Sequence, residues 1–272
     1  MERRTRSFLL VVILAALVAA GIVFYRRGRA VWYPPYRRVA GKRTVADILQ
    51  RYGPATEGRL RPRFGRAGVA YPPERAALLA FKEEKQLELW AQKGARWAFI
   101  RSYPILAASG TLGPKLREGD RQVPEGIYRI VFLNPNSSYH LSMMLDYPSR
   151  YDRQKAQEDG RTNLGGEVFI HGRAVSIGCI AVGDPAIEDL FVLVARTGAS
   201  KVTVIIAPND LRRGGPLPAP PDAPPWLGEL YETIRRALWE FPPPPPVSHR
   251  MCSVRAMISS CKSSHRDVNG AE

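Results

Sequence analysis

The chain has 272 residues, of which 45% are hydrophobic and 24% are charged. These proportions are ordinary for a globular protein and exclude both wholesale disorder and a polytopic membrane protein. Lysine and arginine total 40 against 25 acidic residues, giving a formal net charge of +15. The arginines are spread along the whole chain, whereas a nucleic-acid-binding protein usually concentrates them in one stripe. Such a basic surface suits an anionic polymer or lipid headgroups.

An apolar segment opens the chain. Phe8 to Tyr25 is a run of 18 residues without a charge, and as a helix it would reach roughly 27 Å, close to the hydrocarbon thickness of a bilayer. Val18-Ala19-Ala20 has the small residues of a cleavage site, but the apolar run continues beyond it. We therefore predict an uncleaved transmembrane signal-anchor over residues 1–30. Arginines after the segment outnumber those before it, so the positive-inside rule alone would keep the rest of the chain in the cytoplasm.

A linker and two helices are predicted next. Val31–Arg43 is rich in Tyr, Pro and Arg and is typical of a linker. Thr44–Tyr52 has the pattern of a short helix capped by Thr44. Apolar residues recur at helical spacing through Pro73–Lys93, which predicts an amphipathic helix.

From Trp97 onward, short apolar runs are separated by Gly, Pro and Asn turns, which is typical of a β-sandwich or barrel. A helix over Pro185–Thr197 interrupts these runs, with a buried stripe at every third or fourth position. A second helix is predicted over Trp226–Phe241, before five prolines and a Ser-rich polar tail that is typical of disorder. The predicted strands are Trp97–Ile100, Tyr103–Leu106, Ile127–Phe132, Tyr139–Met143, Val168–His171 and Val202–Ile206.

The three cysteines, Cys179, Cys252 and Cys261, exclude a dense disulfide framework. No CxxC pair or His/Cys cluster has the spacing of zinc ligands, so we expect neither a metal nor another cofactor. Cys252 and Cys261 lie in the tail and could pair in an oxidising compartment, which would leave Cys179 as the odd thiol.

His171 and Cys179 stand eight residues apart, with Gly172 and Gly178 between them. A predicted strand ends at His171, a loop turns the chain back, and Cys179 begins the next apolar run. Such a turn brings the two side chains within hydrogen-bond reach, where His lowers the thiol pKa and carries the proton. Exposed N–H groups near Cys179 would stabilise an oxyanion. On residue types alone, a buried structural cysteine is an equal alternative.

Several motifs occur in order around this pair. The downstream motifs are Ile170-His171-Gly172, Ser176-Ile177-Gly178-Cys179-Ile180-Ala181, Gly183-Asp184 and Ile187-Glu188-Asp189-Leu190. The upstream motifs are Ser109-Gly110, Gly113-Pro114-Lys115, Gly119-Asp120 and Pro124-Glu125-Gly126. Together they resemble the L,D-transpeptidase (YkuD-like) catalytic domain over about Arg96 to Arg212. Asn134-Pro135-Asn136-Ser137, Tyr139-His140-Leu141-Ser142 and Tyr147-Pro148 are similar to the YafK-like branch of murein enzymes.

The resemblance implies a mainly β fold, an L,D-transpeptidase-like β-sandwich with one or two packed helices, in a periplasmic enzyme that acts on peptidoglycan. It implies that Cys179 attacks the meso-diaminopimelate carbonyl of a stem tetrapeptide and forms an acyl-thioester with release of D-Ala. An amine acceptor then takes the acyl group. By the same resemblance, His171 is the base and the Gly172 carbonyl orients its ring, while Ser176 and Gly178 shape the pocket and the oxyanion site.

One position departs from the family's pattern. The main branch has a second His two residues before the nucleophile, where this chain has Ile177. His171 is therefore left as the base, and His140 is the less favoured alternative or a substrate-binding residue. The YafK-like branch is associated with hydrolysis of the amide between diaminopimelate and a lipoprotein lysine. Transfer and hydrolysis thus both stay open, as does a non-catalytic peptidoglycan-binding scaffold with Cys179 buried.

Charged residues near the motifs are candidates for substrate binding. Arg121, Arg153 and Arg161 would bind the carboxylate of diaminopimelate or D-Ala through the bidentate fork of the guanidinium. Asp120 and Glu125 lie in a turn that enters a strand, where we expect them to serve geometry rather than act as a glycosidase-type carboxylate pair.

These predictions divide the chain into four segments: an anchor (1–30), a linker and membrane-proximal helical segment (31–95), a catalytic domain (96–212), and a Pro-rich linker, short helix and tail (213–272). The cytoplasm offers no mature peptidoglycan. We therefore expect, against the positive-inside rule, a single-pass inner-membrane protein with its catalytic domain in the periplasm. The expected partners are peptidoglycan stem peptides, a lipoprotein acceptor or substrate, and the membrane, but no nucleic acid.

Overall fold

The computed structural model describes residues 12–18, 20–21 and 42–244. Residues 12–18 and 20–21 are helical, and no helix in the described part of the chain is long and apolar enough to cross a bilayer. Most of the predicted anchor lies outside the described residues, as do Cys252, Cys261 and the predicted tail. The elements below belong to one compact unit, Met1–Pro242, and only two residues of the second unit, Pro243–Glu272, are described.

From residue 42 onward, the described residues form nine strands and four helices. The strands are β1 Ala76–Phe81, β2 Gln86–Lys93, β3 Arg96–Pro104, β4 Ala107–Ala108, β5 Gly126–Asn134, β6 Ser142–Leu145, β7 Phe169–His171, β8 Ile180–Ala181 and β9 Val202–Ala207. They make one sheet in the order β3-β2-β1-β9-β5-β6-β7-β8-β4. The helices are α1 Val45–Ala67, α2 Arg150–Glu158, α3 Asp184–Thr197 and α4 Leu227–Leu238. The predicted mainly β class with a few helices is confirmed.

Strand β5 joins the two halves of this sheet. Its first part pairs with β9, from Gly126 to Arg129, and its second part pairs with β6, from Ile130 onward. A register irregularity lies between Ile130 and Phe132, where a bulge increases the local twist and bends the strand. The predicted sandwich is therefore a single curled sheet, whose two halves are continuous through one bent strand.

The region Pro73–Lys93 corrects a prediction, because it holds the antiparallel strands β1 and β2 rather than an amphipathic helix. Every residue of β1 is buried, since Leu78 belongs to the core cluster that includes α1 and α3, while Leu79 packs in the cluster with α4. A strand covered on both faces shows no alternation of apolar and polar residues, so periodicity cannot tell it from a helix. The sheet thus begins 20 residues before Arg96, the predicted start of the domain.

Helix α1 is longer than predicted. Thr44 caps it as expected, in a reciprocal capping box with Asp47, but the helix continues past Tyr52 and through Pro54 and Pro62 to Ala67. An internal proline removes a helical hydrogen bond and disfavours the helix. Tertiary packing outweighs that cost here, because α1 buries Ile48, Leu60 and Phe64 in the main core. An ion pair of 2.7 Å between Arg59 and the buried Asp189 also fastens α1 to α3.

Two predicted strand boundaries are wrong. Trp97–Ile100 and Tyr103–Leu106 are mostly one strand, β3, and the strand predicted at Tyr139–Met143 begins only at Ser142. His140 has a φ of 76°, a conformation that does not occur in a regular strand. The strands predicted around Ile127–Phe132, Val168–His171 and Val202–Ile206 and both predicted helices after residue 180 are confirmed to within a few residues at their ends.

The capping box leads to a stability prediction. Thr44→Ala removes the hydroxyl that accepts from the Asp47 amide, and we expect the free energy of unfolding to fall by about 1 kcal/mol. Urea unfolding followed by circular dichroism measures this loss. Thr44→Ser keeps the hydroxyl and serves as the matched control. Equal stability of the Thr44→Ala and Thr44→Ser variants would show that the cap contributes nothing.

Candidate active site

The short parallel strands β7 and β8 bring the two candidate catalytic residues together. Ile170 is paired with Ile180 and His171 with Ala181, so Cys179, one residue before β8, lies alongside Phe169. Side chains alternate across a strand, and Phe169 therefore shares a face with His171. In a parallel pair, Cys179 projects from that same face. The fold thus places the two side chains on one face of neighbouring strands, but the described contacts include no hydrogen bond between His171 and Cys179.

His171 and Cys179 both line a cavity of about 240 Å³. Its remaining wall comes from the end of β5, the turn that follows it, and strands β6 and β7. Polar residues outnumber apolar ones in this wall, but more of its exposed surface is apolar than polar, so the cavity suits a ligand with both polar and apolar parts. The other lining residues are Asn134, Asn136, Ser137, Ser138, Tyr139, Ser142 and Phe169.

The imidazole of His171 is buried and held in one orientation. Its Nδ1 lies 2.6 Å from the Gly172 carbonyl oxygen. A carbonyl only accepts, so Nδ1 carries the proton and Nε2 keeps its lone pair. The Tyr139 ring lies against the imidazole, with 4.7 Å between centroids and an interplanar angle of 34°. Burial lowers the pKa of His171, and the hydrogen bond to Gly172 opposes this only in part. The resting ring is therefore neutral at neutral pH, as a general base must be.

The thiol of Cys179 is partly exposed, and its Sγ lies 4.0 Å from the Glu167 carbonyl oxygen. Burial raises its pKa above the ordinary value of 9.0, a larger effect than the opposing ones of a hydrogen bond from the Phe169 backbone and the positive charge of Lys115. This corrects the expectation that His171 lowers the thiol pKa. A neutral imidazole supplies no charge to stabilise a thiolate, so both partners rest uncharged.

Serine hydroxyls accept hydrogen bonds from the backbone amides of Gly178 and Cys179. The Gly178 N–H donates to Ser109 Oγ at 2.6 Å, and the Cys179 N–H donates to Ser176 Oγ at 3.2 Å. The Ser176 hydroxyl in turn donates to the Cys179 carbonyl at 2.6 Å. The N–H groups expected to be exposed for an oxyanion are therefore occupied in this conformation. Ser176 and Gly178, which were predicted to shape the pocket and the oxyanion site, do not line the cavity; they hydrogen-bond within and beside the nucleophile loop.

His140, a predicted substrate-binding residue, does not line the cavity. Its Nε2 lies 2.8 Å from Glu188 Oε1, and its ring meets the edge of Tyr52 at a centroid distance of 5.5 Å. The side chain thus packs between α1 and α3, because its left-handed backbone conformation turns it out of the strand that alternation had predicted.

None of the three predicted carboxylate-binding arginines lines this cavity. Arg161 donates to Asp159 and to the Leu116 carbonyl, and it borders a separate groove of about 710 Å³. Arg153 is exposed on α2, and the Arg121 side chain is exposed too. Of these arginines, Arg121 contributes to the loop only through its carbonyl, which accepts from Ser109. The Arg161 guanidinium donates its hydrogen bonds to acceptors that the fold brings near it, and sequence spacing alone does not reveal these acceptors.

Asp120 and Glu125 serve geometry, as expected. Asp120 accepts from the Lys115 ammonium and from three backbone amides of its own turn. Although burial raises its pKa, these hydrogen bonds outweigh it and the pKa is lowered. Glu125 is buried and accepts from Lys82, the Gly113 amide and Tyr231. The hydrogen bonds of both carboxylates hold the segment before β5 in place.

Sequence reasoning assigned no role to two residues of the site. Tyr139 covers the His171 ring, and Ser109 holds the Gly178 amide. Both occur in motifs that carried the family resemblance, but each acts on a residue at least 32 positions away. The polar run Asn134 to Ser138, directly after a strand, was the local signal for the cavity wall. Within the described residues, no group of His, Cys, Asp and Glu side chains is placed to hold a metal.

Comparisons with known proteins find similar sequences for about half of the chain. Residues 75–206 match the sequence profile of the YkuD family, the L,D-transpeptidase catalytic domain. A 121-residue stretch is 40% identical to "Putative L,D-transpeptidase YafK" of Escherichia coli, in both strain K12 and O157:H7. That stretch is 44% of this chain and 46% of the relative, so the chain spans about half the length of these curated relatives.

Among solved structures, the helical cell shape determining protein Pgp2 from Campylobacter jejuni is similar at a TM-score of 0.42 and 22% identity, over 50% of this chain and 48% of that one. Mycobacterium tuberculosis L,D-transpeptidase 1 is similar at a TM-score of 0.28 and 13% identity, over 49% of this chain and 62% of that one. On the profile match and the 40% identity, residues 75–206 are similar to the YkuD family of L,D-transpeptidase catalytic domains.

Proposed function

We propose that this protein is a peptidoglycan-remodelling cysteine L,D-transpeptidase that transfers the acyl group of a stem tetrapeptide to an amine acceptor. The observation that carries the proposal is the shared cavity of Cys179 and a neutral His171 whose Nδ1 proton is held by the Gly172 carbonyl. Similarity to the L,D-transpeptidase catalytic domain supports the reaction class. The alternative of a buried structural cysteine is disfavoured, because Cys179 is partly exposed and faces the cavity.

In the acylation step, Cys179 Sγ attacks the carbonyl of meso-diaminopimelate while His171 Nε2 takes the thiol proton. The C–S bond forms and the peptide C–N bond to D-Ala breaks, with the proton passing from His171 to the departing amine. The imidazolium that forms in between keeps its Nδ1–H hydrogen bond to the Gly172 carbonyl, which stabilises the positive charge. The products are an acyl-thioester and free D-Ala.

In the second step, an amine attacks the thioester and gives its proton to His171, and the thiol is restored as the C–S bond breaks. Water in place of the amine gives hydrolysis, so one acyl-enzyme serves transpeptidase and hydrolase alike. The polar cavity wall, which includes Asn134 and three serines, can hydrogen-bond the amine and carboxylate groups of a diaminopimelate side chain.

The proposal is tested by incubating the full chain in detergent with purified disaccharide-tetrapeptide and analysing the products by mass spectrometry. Cross-linked dimers that have lost D-Ala are the expected result. Trimmed monomers would show a hydrolase instead. If tetrapeptide is left intact, muropeptides linked to a lipoprotein lysine test the amidase reaction, and inertness toward both substrates would leave the scaffold function.

We also propose that the catalytic domain is periplasmic and tethered to the inner membrane by the apolar segment Phe8 to Tyr25. The argument is that the substrate is extracytoplasmic, whereas the arginines after the segment favour the opposite orientation. Two reporters fused to the C-terminus, one active only in the periplasm and one active only in the cytoplasm, decide between the periplasmic and the cytoplasmic orientation. A cytoplasmic score would refute the periplasmic placement.

A further inference from the structure

Ser109 directly follows β4, the edge strand of the sheet, and lies beside the nucleophile. Strand β4 pairs antiparallel with β8, with Ala107 opposite Ala181 and Ala108 opposite Ile180. Continuing that register places Ser109 opposite Cys179. Residues that are 70 positions apart in sequence thus become cross-strand neighbours, and cross-strand neighbours project to the same side of a sheet.

The Ser109 hydroxyl uses both of its hydrogen-bonding functions on this neighbourhood. It accepts from the Gly178 amide at 2.6 Å and donates to the Arg121 carbonyl at 2.7 Å. Ser176 Oγ is 3.4 Å away, but its proton goes to the Cys179 carbonyl at 2.6 Å. Since each hydroxyl has one proton, the contact between the two serines adds no further hydrogen bond. Ser109 therefore joins three separate chain segments through one atom.

The hydrogen bond from the Gly178 amide to the Ser109 hydroxyl holds the end of the 172–178 loop that lies next to the nucleophile. The loop's first residues are held elsewhere, because the Arg173 amide donates to Asp184 Oδ1 and the Gly183 amide donates to the Arg173 carbonyl. The middle of the loop is open to solvent, with Val175 57% and Ile177 74% exposed. Ser176 hydrogen-bonds the backbone of Cys179, the residue directly after the loop, and therefore does not tie the loop to a distant segment. Among the described contacts, the Ser109 hydroxyl thus ties Gly178 to the sheet.

We propose that Ser109 is a positioning residue for Cys179, holding the nucleophile loop so that Sγ stays beside the cavity and near His171. The proposal rests on the proposed function, because it assigns Ser109 a part in the same reaction. Ser109 itself contacts neither the thiol nor the imidazole. Loss of its hydroxyl leaves the Gly178 N–H without an acceptor and frees the loop to move away from β4, which lowers turnover and exposes the thiol.

The experiment compares Ser109→Ala, Ser109→Thr and Ser109→Val in the full chain, with Ser102→Ala, at an exposed position of β3, as the control. Thr and Val have nearly the same shape, so that pair isolates the hydroxyl even if the small Ala side chain disturbs packing. Turnover of disaccharide-tetrapeptide, the iodoacetamide alkylation rate of Cys179 across pH, and the melting temperature are measured for each. Peptide mass spectrometry separates Cys179 from the two tail cysteines.

The expected result is an approximately tenfold loss of kcat with little change in KM for Ser109→Ala and Ser109→Val, and near-normal turnover for Ser109→Thr. Alkylation of Cys179 should become faster in the first two variants, because burial that raises the thiol pKa is relaxed. A purely structural role would lower turnover and melting temperature together. Unchanged alkylation in Ser109→Val, or turnover in Ser109→Val equal to that in Ser109→Thr, overturns the proposal.

The alkylation arm does not depend on the substrate. If the chain leaves tetrapeptide intact, the proposed function fails while the alkylation rates still report whether Ser109 controls the position of Cys179. Faster turnover in Ser109→Ala would overturn the proposal in another way, since it would mean that the hydroxyl blocks the Gly178 amide instead of holding the loop.

Discussion

Cys179→Ala is expected to lower tetrapeptide turnover by at least about a thousandfold, because no acyl-thioester can form without the thiol. The fold should survive, since the replaced side chain is partly exposed and its Sγ contacts only the backbone of Glu167, at 4.0 Å, and of Phe169. Mass spectrometry of the intact protein after mixing with substrate adds a direct readout. The wild-type chain should gain the mass of the acyl group, and the Cys179→Ala chain should not.

The tail cysteines provide the matched controls. Cys252→Ser and Cys261→Ser remove thiols that stand far along the sequence from the cavity motifs, and both variants should turn over tetrapeptide at the wild-type rate. Cys179→Ser tests the chemistry further, because a hydroxyl keeps the shape but has a much higher pKa. Residual activity of Cys179→Ala above one tenth of wild type would exclude Cys179 as the nucleophile.

Sequence patterns predicted the half of the sheet that carries the site better than the half that supports it. Strand β5 has partly exposed positions, so alternation identified it. Strands β1 and β2 were predicted as a helix, because layers of helices on both sides of the sheet bury every position of β1. The predicted end of helix α1 at Tyr52 was too early. A proline is a local stop signal, and the packing that outweighs it comes from α3.

At the site, local residues were predictable and distant ones were not. His171, Gly172, Ser176 and Cys179 lie in one short stretch, and the turn that joins two strands places them together. Tyr139 and Ser109 reach the stretch through strand pairing. The arginine predictions failed for a related reason, because a guanidinium binds whichever acceptor the fold brings near, as Asp159 does for Arg161. Burial, which sets both pKa directions, is a property of the tertiary structure.

His171→Gln is the second large effect, with an expected loss of about a hundredfold to ten-thousandfold in kcat/KM, the range for removal of a general base. Glutamine can still hydrogen-bond the Gly172 carbonyl, so the loss reports the proton transfer rather than the fold. The comparison variant is His140→Gln. In the wild-type chain the His140 imidazole is paired with Glu188 between α1 and α3. We therefore expect the activity of the His140→Gln variant to stay within a few-fold of wild type. A reversed order of the two losses would make His140 the base.

The pH profile distinguishes a general base from a preformed ion pair. Burial lowers the pKa of His171 below its ordinary value of 6.5 and raises that of Cys179 above 9.0. A base must be neutral to accept a proton, so kcat/KM should fall as the pH drops through a midpoint below 6.5 and should stay level up to about pH 9. A thiolate–imidazolium pair would instead lose activity on the alkaline side, because the thiolate raises the pKa of the imidazolium above 6.5 and activity falls when the imidazolium gives up its proton. Because both partners rest uncharged, charge develops only during attack, when the Gly172 carbonyl is already in place to stabilise the imidazolium.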